Sequence, residues 1–370
     1  MQTTAASKSL LTAFLLASLA ATPASAIFFN AETKLTADGA AVGYFDYFGY
    51  SVAISGNTAL VGAFGDDVGG NNSGSAYLFD VTTGNQLAKL TANDAAAVDR
   101  FGGSVAISGN TALVGAFGND DGGSSSGSAY LFDITTGNQL AKLTADDAAV
   151  SDSFGWSVAI SGNTALVGAF LDNDGGGSSG SAYLFDVSTG NQLAKLTAED
   201  ATAGDSFGYS VAINGNTALI GAHRDDDEGS DSGSAYLFDV TTGNQLTKLT
   251  ANDAAANDRF GFSVAISGGT AIVGAVFDDD GGSSSGSAYL FDVTTGNQLA
   301  KLTASDAAGG DLFGHSVAMS GDTTLVGAHF NGNGRLGSGS AYLFNSRIPE
   351  PTSLLLATFA WTAWFLRRRR

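Results

Sequence analysis

The sequence predicts an all-β fold, a six-bladed β-propeller of four-stranded antiparallel blades. Three observations carry that reading: a unit recurring at a fixed spacing, four short β-rich runs inside each unit, and a fourth run missing from the last unit but present ahead of the first.

Phe-Gly recurs at Phe48, Phe101, Phe154, Phe207, Phe260 and Phe313, each 53 residues after the one before, and a period of that length marks a repeat architecture. In the copy that starts at Phe101, the runs Ser104 to Ser108 and Thr111 to Ala116 are joined by Gly109-Asn110. That is a two-residue hairpin signal with glycine free to take positive φ, and it recurs at Gly56-Asn57, Gly162-Asn163 and Gly215-Asn216. The third run, Ser128 to Ile134, passes through Thr136-Gly137-Asn138 into the fourth, Gln139 to Thr144. Four antiparallel runs in sequence make one blade.

Burial follows from composition. The first two runs are almost wholly apolar and small, as strands covered on both faces are, whereas the fourth alternates and points Lys142 outward. Strand order therefore runs from axis to rim. A four-stranded unit of this length favours a propeller over a solenoid. The last copy stops at Ala341-Tyr342-Leu343-Phe344, and its missing Lys-Leu-Thr-Ala stands alone at Lys34 to Ala37. An N-terminal strand completing the last blade is therefore expected, which removes the open edges of the sheet.

Composition narrows function. A chain of 370 residues with 44% hydrophobic content buries a substantial core. The absence of cysteine removes disulfides, thiolate nucleophiles and cysteine-based zinc sites. A net charge of -20 repels phosphate, so nucleic acid is excluded as a partner, and cations or basic or neutral partners fit better.

The two ends read as addresses. Lys8, the apolar run Leu10 to Ala20 and Ala24-Ser25-Ala26 follow the order a signal peptidase reads, with cleavage set by Ala24 and Ala26. Three segments result: a signal peptide at 1–26, the propeller at 27–347, and a C-terminal segment at 348–370. In the last, Pro349-Glu350-Pro351 precedes the apolar stretch Thr352 to Leu366 and then Arg367, Arg368, Arg369 and Arg370. Basic residues after an apolar segment stay cytoplasmic. The stretch is about 22 Å long as a helix, short for a hydrocarbon core of about 30 Å, and suits a transient transmembrane anchor. This order resembles the PEP-CTERM sorting signal. The resemblance implies processing by an exosortase, transient inner-membrane anchoring, and delivery to the cell surface or extracellular matrix of a Gram-negative bacterium.

The Phe-Gly pairs, the Ser-Val-Ala-Ile-Ser-Gly-Asn-Thr-Ala-Leu-Val-Gly-Ala cores and the Gly-Ser-Ala-Tyr-Leu-Phe strands resemble the FG-GAP repeats, bacterial relatives of the integrin α-subunit propeller. The resemblance implies ligand or partner binding, often at cell surfaces. Integrin-type blades hold calcium in an Asp-rich loop between their first two strands. Here that place holds a Gly-Asn turn, so the family's calcium site is not carried over.

The loops after strands two and four emerge on one face and are acidic. Among them, Asp120, Asp121, Asp172, Asp174, Asp225, Asp226, Asp227, Asp278, Asp279 and Asp280 are candidate metal ligands, since hard cations such as Ca2+ prefer carboxylate oxygens beside flexible glycines. A hydrated acidic surface is the alternative reading, and no cofactor is required. A second series, Asp99, Asp152, Asp205, Asp258 and Asp311, stands two residues before successive Phe-Gly pairs and reads as turn caps at blade junctions.

Positions that vary while the rest repeats are the better ligand candidates. Tyr50, Trp156, Tyr209, Phe262 and His315 follow the Phe-Gly pairs, and His223 and His329 follow Gly-Ala. Their rings would stack on sugar faces or anchor a partner chain, or else fill gaps between blades. No nucleophile elbow marks a catalytic centre and the loop after His329 offers no acid to orient an imidazole, while the many aspartates leave paired acids for glycoside cleavage open. The expected function is a non-catalytic binding or scaffolding module for extracellular polysaccharide or protein. The alternatives are a carbohydrate-active enzyme on a propeller scaffold and a cation-dependent structural matrix protein.

Overall fold

The structure, a computed structural model, describes residues 33–38, 45–332 and 338–345. The chain divides into two compact units, Met1–Lys34 and Leu35–Arg370. Of the first, only Thr33 and Lys34 are described, so the fold below is that of the second. Ala24 and Ala26 of the expected signal segment, and Pro349, Glu350, Pro351 and Arg367 to Arg370 of the expected sorting segment, lie outside the described residues. Among the described residues no helix is long and apolar enough to cross a membrane.

Among the described residues, twenty-three strands form six sheets. Blade 1 comprises β1 (Val52–Ser55), β2 (Thr58–Ala63), β3 (Ser75–Asp80) and β4 (Gln86–Leu90), and blade 2 comprises β5 (Ser104–Ser108), β6 (Thr111–Ala116), β7 (Ser128–Asp133) and β8 (Gln139–Leu143). Blade 3 holds β9 (Ser157–Ser161), β10 (Thr164–Ala169), β11 (Ser181–Asp186) and β12 (Gln192–Leu196). Blade 4 holds β13 (Phe207–Asn214), β14 (Thr217–Ala222), β15 (Ser234–Asp239) and β16 (Gln245–Leu249). Blade 5 holds β17 (Phe260–Ser267), β18 (Thr270–Ala275), β19 (Ser287–Asp292) and β20 (Gln298–Leu302), and blade 6 holds β21 (Phe313–Ser320), β22 (Thr323–Ala328) and β23 (Ser340–Asn345). Within each sheet every strand pairing is antiparallel and sequential, in the propeller arrangement the sequence predicts.

The inner strands of consecutive blades pack on one another, β1 with β5, β5 with β9, and so on to β21, which places strand one nearest the axis. These inner strands are mostly half-buried, less than the sequence suggests, while strands two and three of blades 1 to 5 are largely buried. The reason is position. In blades 2 to 5, strands two and three are covered by neighbouring blades on both faces, whereas strand one lies at the axial edge of its sheet.

The core lies between blades. Leu113, Ala129, Leu131 and Leu143 of blade 2 meet Phe154, Val167, Tyr183 and Phe185 of blade 3 in one buried cluster. Phe154 is the wedge, its ring edge-on to Tyr183 at 5.4 Å and to Phe185 at 5.7 Å between centroids. Edge-to-face pairs at this spacing are favourable beyond their burial. Gly155 beside it adopts φ +86°, and its carbonyl oxygen accepts a hydrogen bond from Ser104 Oγ of the previous blade at 2.7 Å. The Phe-Gly pair is thus the joint between blades: phenylalanine fills the gap, and glycine lets the two backbones touch.

Closure by the N-terminal strand is not found. Among the described residues, the blade 6 sheet has three strands and β23 ends it. Leu35 and Ala37 instead lie against Val61, Ala63, Tyr77 and Phe79 of blade 1, and Asp38 N–H donates to Gln86 Oε1 at 2.9 Å. That is the same docking Leu90 and Ala92 make on blade 2. The segment therefore keeps the contact with the following blade that strand four makes elsewhere, without a sheet of its own to pair with.

Candidate functional site

The varied aromatic positions converge. Trp156 contacts Phe117 at 5.0 Å, Phe170 at 4.8 Å and Tyr209 at 5.7 Å between ring centroids. Tyr209 lies 4.1 Å from His223 and 5.2 Å from Phe262, Phe262 lies 5.3 Å from His315, and His315 stacks on His329 at 4.6 Å. Six of the seven expected ligand residues thus form one run of touching rings along the starts of the inner strands of blades 3 to 6. Tyr50 does not join it. It packs edge-on to Phe64 at 4.6 Å, in a separate group with Tyr47 and Phe45.

Apart from buried His223 and exposed His329, the rings of this run are half-buried, between core packing and open display. Burial, reinforced by Arg224 and Arg259, holds the His223 imidazole down at about 3, so it is neutral at physiological pH. Burial likewise lowers His315, with a further push from His329.

Arginine marks the same place. Arg100, Arg224 and Arg259 are the arginines among the described residues. The Arg100 guanidinium lies over the Phe117 ring at 5.2 Å, Arg224 follows His223 directly, and Arg259 lies over Phe277 at 4.8 Å and near Asp231 at 3.7 Å. In an otherwise acidic body, the strongest cations border the aromatic run.

The acidic loops form a second, repeated feature farther out on each blade. In blade 3 the carboxylates of Asp147, Asp172 and Asp174 converge, as do Asp200, Asp225 and Asp227 in blade 4 and Asp253, Asp278 and Asp280 in blade 5. The ligand oxygens of each trio lie within 4.8 Å of one another, a spacing that suits a metal ion. Each convergence point already holds an ammonium. Lys195 Nζ lies 2.6 Å from Asp147, 3.1 Å from Asp172 and 2.5 Å from Asp174. Lys248 and Lys301 do the same in blades 4 and 5. In blade 2, Lys142 bonds Asp94 and Asp121, with Asn119 in place of the third acid.

A strand-three tyrosine floors each cage. Tyr183 O–H bonds Asp172 at 2.9 Å, and Lys195 Nζ stands 5.3 Å from its ring centroid. Lys142, expected to point into water, is therefore a cage residue. Its alternation with apolar neighbours carries it to the blade surface where the acidic loops fold over it. Among the expected metal ligands, Asp120, Asp226 and Asp279 stand outside the cages, where they accept backbone N–H groups from Ser125, Asp231 and Ser284.

The series before Phe-Gly caps turns as expected. Asp99 accepts the Ala96 N–H at 2.8 Å, Asp152 that of Ala149 at 2.7 Å, and Asp258 that of Ala255 at 2.8 Å. Burial dominates at these carboxyls and raises Asp99, Asp152, Asp205 and Asp258, the last to about 6. In the cages burial also pushes upward, but hydrogen bonds from lysine and tyrosine outweigh it and leave Asp66, Asp94, Asp147, Asp200 and Asp278 below the usual range.

The two sets answer pH in opposite senses. A lowered carboxyl contributes stability that is lost as pH falls through its folded value. A raised carboxyl binds its proton more tightly folded than unfolded, so its contribution is present at low pH and is lost as pH rises through the folded value. His223 adds to the loss on acidification: its unfolded imidazole takes a proton below about pH 6.5 while the folded one stays neutral, so His223→Phe is expected to lessen the fall in melting temperature between about pH 6.5 and 4. An unchanged fall in that variant contradicts this role for His223.

Comparison with known proteins agrees with the joint geometry. FG-GAP repeats match residues 29–79, 85–132, 138–185, 191–238, 244–291 and 297–344. Each matched segment begins ahead of a Phe-Gly pair and ends in strand three of the blade that follows, so the family's unit spans a joint. A search of the curated proteins returns no match. Among solved structures, the computationally designed Ika8 protein is similar over 80% of this chain and 70% of its own, at 17% identity and a TM-score of 0.49. With six consecutive matches covering most of its length, the chain belongs to the FG-GAP repeat family.

Proposed function

We propose that this protein is an exported, surface-sorted, non-catalytic propeller that binds extracellular polysaccharide through its aromatic run. The observation that carries the reading is the continuity of Trp156, Tyr209, Phe262 and His315, whose rings touch from blade to blade while their neighbours repeat unchanged. Aromatic faces take the apolar faces of sugar rings. Arg100, Arg224 and Arg259 beside them favour sugars that carry carboxylates, which guanidinium groups recognise in pairs of hydrogen bonds. Export and sorting rest on the terminal segments, and family membership fits a cell-surface setting.

The test is titration of immobilised uronate-containing and neutral polysaccharides with the purified protein. Saturable binding is expected for the uronate polymer, with Trp156→Ala weakening it about tenfold. Equal or absent binding to both polymers removes the reading. A second reading, a cation-dependent structural protein, draws on the carboxylate cages, and Ca2+ would have to displace a lysine there. Loss of thermal stability on adding a chelator favours it.

A further inference from the structure

The chain carries one joint more than it uses. Phe101, Phe154, Phe207, Phe260 and Phe313 each seat in the preceding blade, and their glycines press so close that an added Cβ at Gly62, Gly115, Gly168, Gly221 or Gly274 would come within about 2.1 Å of the seated glycine's oxygen. At Gly327, the same position in blade 6, the one close atom among the described residues is Ser316 Oγ of the same blade. Among the described residues the socket is formed and nothing fills it: a cavity of about 590 Å3 lined by His315, Ser316, Gly327, Ala328, Gly339 and Ala341. Beside it Leu343 is 64% and Leu325 43% exposed, although their counterparts Leu78 and Leu60 are fully buried against blade 2.

The matching plug is formed at the other end. Phe48 sits edge-on to Tyr77 at 5.5 Å and Phe79 at 5.9 Å, as Phe101 does to Tyr130 and Phe132. Gly49 holds φ +89°, the value of Gly102, and its N–H bonds Gly62 O at 3.0 Å. Yet Gly49 is exposed, with nothing within 4 Å of its would-be Cβ, and Val52 and Ile54 on the same face are 70% and 65% exposed. β1 and β21 are not packed together as consecutive inner strands are.

We infer that the blade 6 socket receives the Phe48-Gly49 plug of a second copy of this chain, which makes a head-to-tail contact. The two faces are the halves of an interface that the molecule builds five times internally, so their fit is established within the chain itself. The strand missing from blade 6 arrives with the plug. In the register of blade 5, where Ala288 faces Leu302 and Tyr289 faces Lys301, Ala341 would face Leu35 and Tyr342 would face Lys34 of the second copy. Charge agrees. Tyr342 O–H bonds Asp306 at 2.7 Å, the place where Asp253 receives Lys301 in blade 5, and the incoming Lys34 supplies the ammonium that this cage lacks. A contact between two different faces repeats, giving larger rings or filaments instead of stopping at a dimer.

The test is the mass of the full chain in solution by light scattering at increasing concentration, with Val52→Lys and Leu343→Lys as variants. Both residues are exposed in the single chain, so neither change threatens folding, and circular dichroism melting confirms that. Wild type is expected to pass beyond dimers as concentration rises, and each variant to remain a single chain. An equal mixture of the two variants is expected to form dimers and stop there, because each retains one intact face. A wild type that stays monomeric throughout, as a ring closed on itself would, overturns the inference. So do variants that assemble as wild type does.

Discussion

Gly155→Ala is expected to lower the stability of the folded body by about 3 kcal/mol, because two penalties combine at one atom. The residue holds φ +86°, and a methyl group there would lie 2.3 Å from the Ser128 carbonyl oxygen of the preceding blade. The Ala116 nitrogen lies 3.2 Å from the same point, and neither backbone atom can turn aside as a flexible side chain would. Gly109→Ala is the control: it shares a positive φ, +56°, but faces open space, so it is expected to cost only about 1 kcal/mol. Chemical denaturation of the two variants separates backbone strain from the blade joint. Equal losses would mean that close approach contributes nothing. Each blade touches only its neighbours, so hydrogen exchange in Gly155→Ala should rise most in blades 2 and 3.

Lys195→Met is the second large effect. It leaves Asp147, Asp172 and Asp174 facing one another without their ammonium, and Asp172 is only 3% exposed. Removing one partner of a buried ion cluster costs about 3 to 5 kcal/mol, and the exposure of Asp147 and Asp174 reduces the expected loss to about 2 kcal/mol. The emptied cage has the oxygen ligands a hard cation prefers, so millimolar Ca2+ should recover part of the loss in the variant and leave wild type unmoved. A calcium-induced rise in the melting temperature of wild type would show instead that lysine does not hold the cage against metal.

The fold was legible because its signals are local. The Gly109-Asn110 turn, the alternation in Gln139 to Leu143 and the constant spacing of Phe-Gly each act within a few residues, and β5 to β8 fall within one residue of their expected ends. Asp99 was legible as a cap for the same reason, since its partner Ala96 is three residues away. The cages were not. Lys195 meets acids 21, 23 and 48 residues earlier, the first two from one loop of its own blade and the farthest from the connection out of the preceding blade. Alternation alone reads such a lysine as solvent-facing. The aromatic run was found through departures from the repeat, and Arg100 and Arg259 depart from it at one shared position just before Phe-Gly, but no local signal says that they stand beside the rings. The vacant joint could not be foreseen, because an N-terminal strand of the right composition is equally suited to its own last blade and to another copy's.

The most direct test of the binding account is the affinity of the protein for a uronate-containing polysaccharide, measured by calorimetry with wild type, Trp156→Ala and Arg259→Gln. The account predicts saturable binding by wild type that weakens about tenfold in each variant, and greater salt sensitivity for the interaction that retains Arg259. Binding that is unchanged in both variants, or absent in wild type, contradicts it.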